Sequence, residues 1–322
     1  MSTSTPNSAD RLGILVGYDG SESSDCALEW AVDEAKRSGR PLSIVTAYSI
    51  PTYSTVGMEA AVMVPEDESI KAGAEAVAGQ GRERAEAAGV AATALTAFGD
   101  ATGVMRDLSE RADLVVLGAR GRGGFIGLLV GSTAASVPGH SHCPTVVVPK
   151  CVAHEDERGV ARENTVVVGL DGSERGRLAA LVAAERAQLT GAALKLVCAL
   201  PPFNGTVAWI PPSDAMETVR EDVQTQLAAA REWILSHFPD LEVQTGLVDG
   251  APARVLTSES EKAALTVVGA RGGGGFVGML LGSTSQAVLS QGRGPIMVVP
   301  ERDDDPRLAS RADFGPKHIP TF

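Results

Sequence analysis

The chain is poor in aromatic residues, which make up 4% of its 322 positions. Its core must therefore be built from Val, Leu, Ile and Ala, and a hydrophobic content of 44% is enough for two domains of ordinary size. Basic residues are in deficit. Lys and Arg number 28 against 40 Asp and Glu, a formal charge of −12. A nucleic-acid binder carries a basic stripe to meet phosphates, and none is visible, so that class is disfavoured. The acidity reads as ordinary solubility rather than as a functional field. Cysteine is scarce as well. Cys26, Cys143, Cys151 and Cys198 form no C-x-x-C pair and no zinc-like spacing with histidine. Free thiols in a reducing compartment are expected, with a Cys143–Cys151 bridge as the alternative. No apolar run is long enough to span a bilayer. The first residues are polar and lack the basic-then-apolar layout of a signal peptide. A cytoplasmic location without membrane insertion is the expectation.

What the sequence does have is an internal repeat. Val16-Gly17-Tyr18-Asp19-Gly20-Ser21-Glu22 returns as Val168-Gly169-Leu170-Asp171-Gly172-Ser173-Glu174. Residues 114–137 return as 265–288 without a gap, and 15 of those 24 positions are identical. A period of about 150 residues is too long for a solenoid and equals one domain. The chain is therefore a duplication. Its first domain is expected at 11–150 and its second at 165–300. A charged linker at 151–164 joins them, and flexible tails at 1–10 and 301–322 flank them.

Each half alternates short apolar runs with helical stretches. Strands are predicted at 12–18, 42–49, 90–98, 114–117 and 145–149, with helices at 22–38, 66–88, 102–111 and from 132. The second half repeats the order, with strands at 165–170, 193–199, 241–247, 265–268 and 296–300 and helices at 174–189, 213–238 and 252–262. Gly39 is placed to stop the first helix. Gly73, Gly79 and Gly81 weaken the second. Buried apolar strands alternating with helices predict two tandem Rossmann-like α/β domains. Each would be a five-stranded parallel sheet with helices on both faces. Ligands of such sheets bind past the carboxyl ends of the strands, where strand order reverses. Both Asp-Gly turns and both glycine-rich loops fall at that edge.

The informative spacing is Gly118-x2-Gly121-x9-Gly131-Ser132, with its counterpart Gly269-x2-Gly272-x9-Gly282-Ser283. Glycines after a strand let the backbone approach a ligand without Cβ obstruction. Gly131-Ser132 and Gly282-Ser283 then open a helix, whose free N–H groups and dipole suit a phosphate. It is not a Walker A loop, since no Gly-Lys-Ser/Thr follows, and the dinucleotide fingerprint is absent after the first strand.

These motifs resemble those of the universal stress protein family, in its tandem two-domain, ATP-binding form. That family carries G-x2-G-x9-G-[S/T] with an aspartate after the first strand, matched here by Asp19 and Asp171. The resemblance implies ATP as ligand, with Gly17, Asp19 and backbone groups at Ala47 on the ribose and adenine side. Gly118, Arg120, Gly121, Gly131, Ser132 and Thr133 would hold phosphates and ribose. In the second half Gly169, Asp171 and Ala199 would take the first role. Gly269, Arg271, Gly272, Gly282, Ser283 and Thr284 would take the second. Asp19 and Asp171 are the candidate magnesium ligands, although an Asp-Gly-Ser turn alone could explain them. The second loop replaces Arg122 with Gly273, which removes a cation and could weaken that site. His140 and His142 before Cys143 read as a loop rather than a metal site. The expected role is nucleotide-dependent regulation through a protein partner in the stress response. The alternatives are a slow ATPase and a scaffold without nucleotide. The apolar strands at 145–149 and 296–300 need pairing if they are sheet edges. Family members dimerise through such strands. A tandem chain could satisfy this within itself, and a further homodimer is expected.

Overall fold

A computed structural model describes residues 11–50, 67–122, 130–149, 162–201, 212–272 and 280–301. The expected tails apart from Glu301, most of the linker, the loop at 51–65, Cys151 and glycines 123, 124 and 273–275 lie outside the described residues.

The first half runs β1 (Gly13–Gly17), α1 (Glu22–Ser38), β2 (Leu42–Tyr48), α2 (Asp67–Ala87), β3 (Ala92–Phe98), α3 (Ala101–Ser109), β4 (Ala112–Gly118), α4 (Ser132–His140) and β5 (Thr145–Val148). The second runs β6 (Glu163–Gly169), α5 (Glu174–Thr190), β7 (Ala193–Leu200), α6 (Pro212–His237), β8 (Val243–Asp249), α7 (Pro252–Ser260), β9 (Ala263–Gly269), α8 (Ser283–Gln291) and β10 (Ile296–Val299). Local chemistry sets the helix ends. Ser21 and Ser173 cap α1 and α5 by accepting N–H groups of the first turn, and Gly39 and Gly191 close them in the left-handed region at φ 66° and 62°. The three glycines of α2 do not break it. Gly81 lets the helix lie close, because a Cβ there would come within 3.0 Å of the Ile44 and Tyr18 side chains.

Within each half all five strands are parallel. The two sheets are not separate. They merge into one ten-stranded sheet of order β3-β2-β1-β4-β5-β10-β9-β6-β7-β8, in which β5 and β10 pair antiparallel. The strands expected as possible edges are thus the centre of the sheet, and the edges are β3 and β8. The tandem chain satisfies its own exposed strands, so a homodimer has no use for them. The pairing centres on Met297 opposite Val146, flanked by Ile296 opposite Val147 and Val298 opposite Thr145. The repeat that relates Leu114 to Leu265 also relates Val146 to Met297. The centre of the sheet is therefore a pseudo-twofold axis. Because the halves run antiparallel there, their strand carboxyl ends point to opposite edges of the sheet.

One face of the sheet is covered by α1, α2, α5 and α6, in a hydrophobic cluster that runs through both halves. The other carries α3 and α4 in the first half and α7 and α8 in the second. Cys143 and Cys198 are buried thiols outside any disulfide, so Cys143 makes no bridge to Cys151. Cys26, buried on α1, is disulfide-bonded and departs from the expected free thiol. Among the described residues no helix is long and apolar enough to cross a membrane.

Candidate functional site

Strand order reverses between β1 and β4, and a cleft of about 440 Å³ opens there at their carboxyl ends. Every expected first-half site residue lines it, from Gly17, Asp19 and Ala47 through Gly118, Arg120 and Gly121 to Gly131, Ser132 and Thr133. Sequence reasoning missed the apolar wall, made by Val45, Met105, Leu117 and Val130. Alternation along the strands and α3 was its available signal.

Four backbone devices shape the cleft. First, the chain is pinched where it leaves and re-enters the sheet. The Gly131 N–H donates to the Ala119 carbonyl at 2.7 Å, and the Ala119 N–H donates to the Val148 carbonyl. Second, the close fit of elements demands glycine at two positions. A Cβ on Gly118 would stand 2.4 Å from the Ser23 carbonyl oxygen, and one on Gly17 would stand 2.6 Å from the Leu117 side chain. These glycines serve packing of the protein on itself. Third, Val45 turns its carbonyl to the Tyr18 N–H, while Tyr48 turns its own to the Gly99 N–H on the β3 side. Backbone direction alternates along a strand. The N–H and C=O of Ala47 therefore face the β1 side, one step past the last bond to that strand.

The fourth device is the start of α4. Its N-cap is Gly131, extended at φ −75° and ψ 163°, with no side-chain cap. The first N–H groups of a helix have no acceptor within it. At α1, α5 and α3 the chain supplies one, from Ser21, Ser173 and Asp100, while α7 starts at Ala251 without one and carries a proline in its first turn. At α4 it supplies none. Nor does the fold need glycine at this point: φ is ordinary, and a Cβ would meet Ala119 at an ordinary 3.5 Å. The helix start is left bare, with the Ser132 and Thr133 hydroxyls beside it.

Asp19 is the only carboxylate among the described residues lining the cleft. Its Oδ1 accepts the Ser21 N–H at 3.0 Å and the Ser21 hydroxyl at 2.6 Å, and its Oδ2 accepts the Arg122 N–H at 2.8 Å. Burial alone would raise its pKa. The donors from Ser21, Arg122 and Ser24 outweigh burial and hold it below the ordinary value. Asp19 thus ties the β1 turn to the glycine loop, and Gly121 is small because a Cβ there would stand 2.7 Å from Oδ2. Arg120 is exposed at the rim, its N–H on the Ser23 hydroxyl at 3.0 Å. Beneath the turn, the Tyr18 hydroxyl donates to Asp25 at 2.6 Å, and Asp25 pairs with Arg84. Burial first, and then Asp25, raise the Tyr18 pKa to about 12.

The second half repeats the frame. Leu170 donates to the Val197 carbonyl and Gly250 to that of Leu200, so Ala199 is the true counterpart of Ala47. Asp171 accepts the Ser173 N–H and hydroxyl at 3.0 and 2.6 Å. Gly272 abuts Asp171, and Gly169 abuts Leu256. Gly282 is the bare N-cap of α8, with its N–H on the Ala270 carbonyl and Ser283 and Thr284 following. The surroundings differ. The Gly269 carbonyl accepts the Ser285 hydroxyl at 2.6 Å, and Arg271 faces Glu301 at 3.8 Å. Cys198 stands near Asp171. Burial, and then that carboxylate, push its thiol up to about 11, so it is a poor nucleophile. His140 and His142 bond to the Ser136 carbonyl and to Ser109, and no metal-binding cluster occurs among the described residues.

The model of the family described as "Universal stress protein family" matches residues 13–149 and again 163–300. The chain belongs to the universal stress protein family. It is 32% identical over 295 residues to universal stress protein Rv2005c of Mycobacterium tuberculosis, covering 89% of this chain and 96% of that one. It is 30% identical over 307 residues to universal stress protein Rv1996 of the same organism, covering 89% and 94%. A universal stress protein structure from Archaeoglobus fulgidus superposes with a TM-score of 0.64 at 22% identity, covering 89% of this chain and 98% of that one. That structural likeness concerns the fold. The two family matches fall on the two halves of the ten-stranded sheet, one cleft frame in each.

Proposed function

We propose that this universal stress protein binds ATP, with one molecule in the cleft of each half, and that occupancy regulates its contact with a protein partner during stress. The carrying observation is the pair of bare helix starts at Gly131 and Gly282. Neither backbone angles nor packing requires glycine there. A close-approaching anion does require it, since a Cβ would occupy the space in front of the free N–H groups. The phosphates would sit on those groups, with Ser132 and Thr133, or Ser283 and Thr284, adding hydroxyl donors. Arg120 and Arg271 would supply charge. The adenine edge would meet the outward N–H and C=O of Ala47 or Ala199 against the apolar wall. Asp19 keeps the turn and loop together, and a ribose hydroxyl would take the place of one of the present donors to Asp19 or Asp171.

The cleft fits binding better than turnover. A depressed Asp19 is a weak base, and no histidine or glutamate stands among the described lining residues. A magnesium ion would be carried mainly by the phosphates, with Asp19 as the one nearby carboxylate. The protein is proposed to act in the cytoplasm. A homodimer, if formed, would use surfaces other than β5 and β10.

The test is the nucleotide released when the purified protein is denatured, measured for the parent and for Gly131→Ala and Gly282→Ala. ATP in both clefts, with one cleft's share lost in each variant, supports the reading. Release largely as ADP would point to hydrolysis. No nucleotide, and no binding when magnesium-ATP is titrated in, would leave a scaffold.

A further inference from the structure

On the face covered by α1 and α5 a charged pair is buried at the junction of the halves. Arg186 of α5 donates to the carboxylate of Glu34 of α1, with side chains 9% and 2% exposed. The two residues are 152 apart. The same offset relates the cap Ser21 to Ser173 and the stop Gly39 to Gly191. Glu34 and Arg186 are therefore the same position of the repeat, meeting across the pseudo-twofold axis that passes between Val146 and Met297.

A contact on a twofold axis sets a residue against its own counterpart. Two first halves joined through β5 would bury Glu34 against Glu34. Two second halves joined through β10 would bury Arg186 against Arg186. Both arrangements leave like charges together out of water, whereas the observed one leaves a hydrogen-bonded pair. The strands between the halves make no such distinction. Their facing residues are Thr145, Val146 and Val147 on one side and Ile296, Met297 and Val298 on the other. Their ladder bonds are backbone groups that either half could offer to itself.

We propose that Glu34 and Arg186 select the partner at this junction. They make the central face of each half accept the opposite half, from the same chain or from a second copy, and reject a second copy of its own kind. The selection comes from repulsion in the wrong pairs as much as from attraction in the right one. The strands make the face self-complementary, and the opposite charges at its axis make it directional.

The experiment places a protease site within residues 152–161 of the full chain. After cleavage the halves are unfolded in urea, refolded together, and their pairings counted by native mass spectrometry. The unaltered protein should return mixed pairs almost alone. Glu34→Arg makes all three pairings equally Arg-on-Arg, so mixed pairs should fall to roughly half, the random share. The charge swap, Glu34→Arg with Arg186→Glu, should restore them. Glu34→Gln with Arg186→Gln buries no charge, so it escapes the folding risk of a repulsive pair and should also give the random share. Mixed pairs alone from the Gln pair, or a swap that fails to restore selection, would overturn the proposal. The uncleaved chain gives an independent reading: its urea midpoint should drop with Glu34→Arg and recover with the swap. A midpoint indifferent to both changes would overturn it as well.

Discussion

The two halves of the sheet share a frame and differ in what fills it. In both, an aspartate accepts from the serine two positions on, a glycine lies against that aspartate, and a glycine opens a bare helix. Around this frame the side chains diverge. Under the first cleft Tyr18, Asp25 and Arg84 form a polar chain, and the Thr46 hydroxyl donates to the Tyr18 carbonyl at 2.7 Å. The counterparts of Tyr18, Asp25 and Thr46 are Leu170, Arg177 and Cys198. The first rim has Arg120 and Arg122, while the second has Arg271 facing Glu301. The comparison separates two kinds of constraint. A position where a Cβ would collide with backbone, such as Gly118, cannot be refilled without a shift of that backbone. Positions that only support the frame can be refilled in several ways, so duplicated sites become unequal.

The largest effect that would sharpen this comparison lies at the axis, where one repeat position holds opposite charges. Glu34→Ala should cost about 3–5 kcal/mol, because it strands a buried guanidinium. Replacing Glu34 and Arg186 together by Leu should cost clearly less. Urea unfolding of the parent and the two variants measures this, and a single variant no worse than the double would deny that the charges are coupled.

Next come two glycines of one motif with different reasons for being glycine. Gly118→Ala must push the Ser23 backbone away and should lose about 1–3 kcal/mol. Gly131→Ala meets only ordinary contacts and should change stability by no more than about 0.5 kcal/mol, yet abolish nucleotide retention in the first cleft. Thermal melts beside nucleotide analysis would expose the reverse pattern if packing, and not a ligand, fixes Gly131.

A third effect depends on pH. The folded pKa of Asp19 is lowered, so its contribution to stability is fully present above the ordinary carboxylate range. That contribution is lost as pH falls from this range through the folded pKa. In Asp19→Asn the difference from the parent should be largest at neutral pH and shrink toward acid. A difference that stays constant from pH 7 to acid would show that the carboxylate charge contributes nothing. The smallest effect concerns the Arg271–Glu301 contact. Glu301→Gln should free Arg271 and tighten nucleotide binding in the second cleft by about two- to fivefold, the scale of a partly exposed pair. Calorimetry on a Gly131→Ala background isolates that cleft, and no change would mean that the contact does not weaken the second site.

Much of this could be read from the residues in order. Strand–helix alternation follows from local apolar periodicity, and α1 spans the predicted range because Ser21 and Gly39 fix its ends chemically. The repeat located both copies of the frame, and the registers place Ala47 and Ala199 near the ends of the second strands. Other features depend on groups far apart in the chain. Nothing near Asp19 in sequence announces that Arg122 will donate to it, and nothing near Gly118 announces the Ser23 backbone above it. The joining of two sheets into one turns on β5 and β10, whose apolar composition demands a partner without naming it. The sequence by itself determined the repeat, the elements and the glycine-opened helices, because these arise from backbone preferences and spacing along the chain. Only the tertiary structure decided that the halves meet antiparallel and that Glu34 faces Arg186, because that choice lies in which buried charge meets which across an axis no local segment contains.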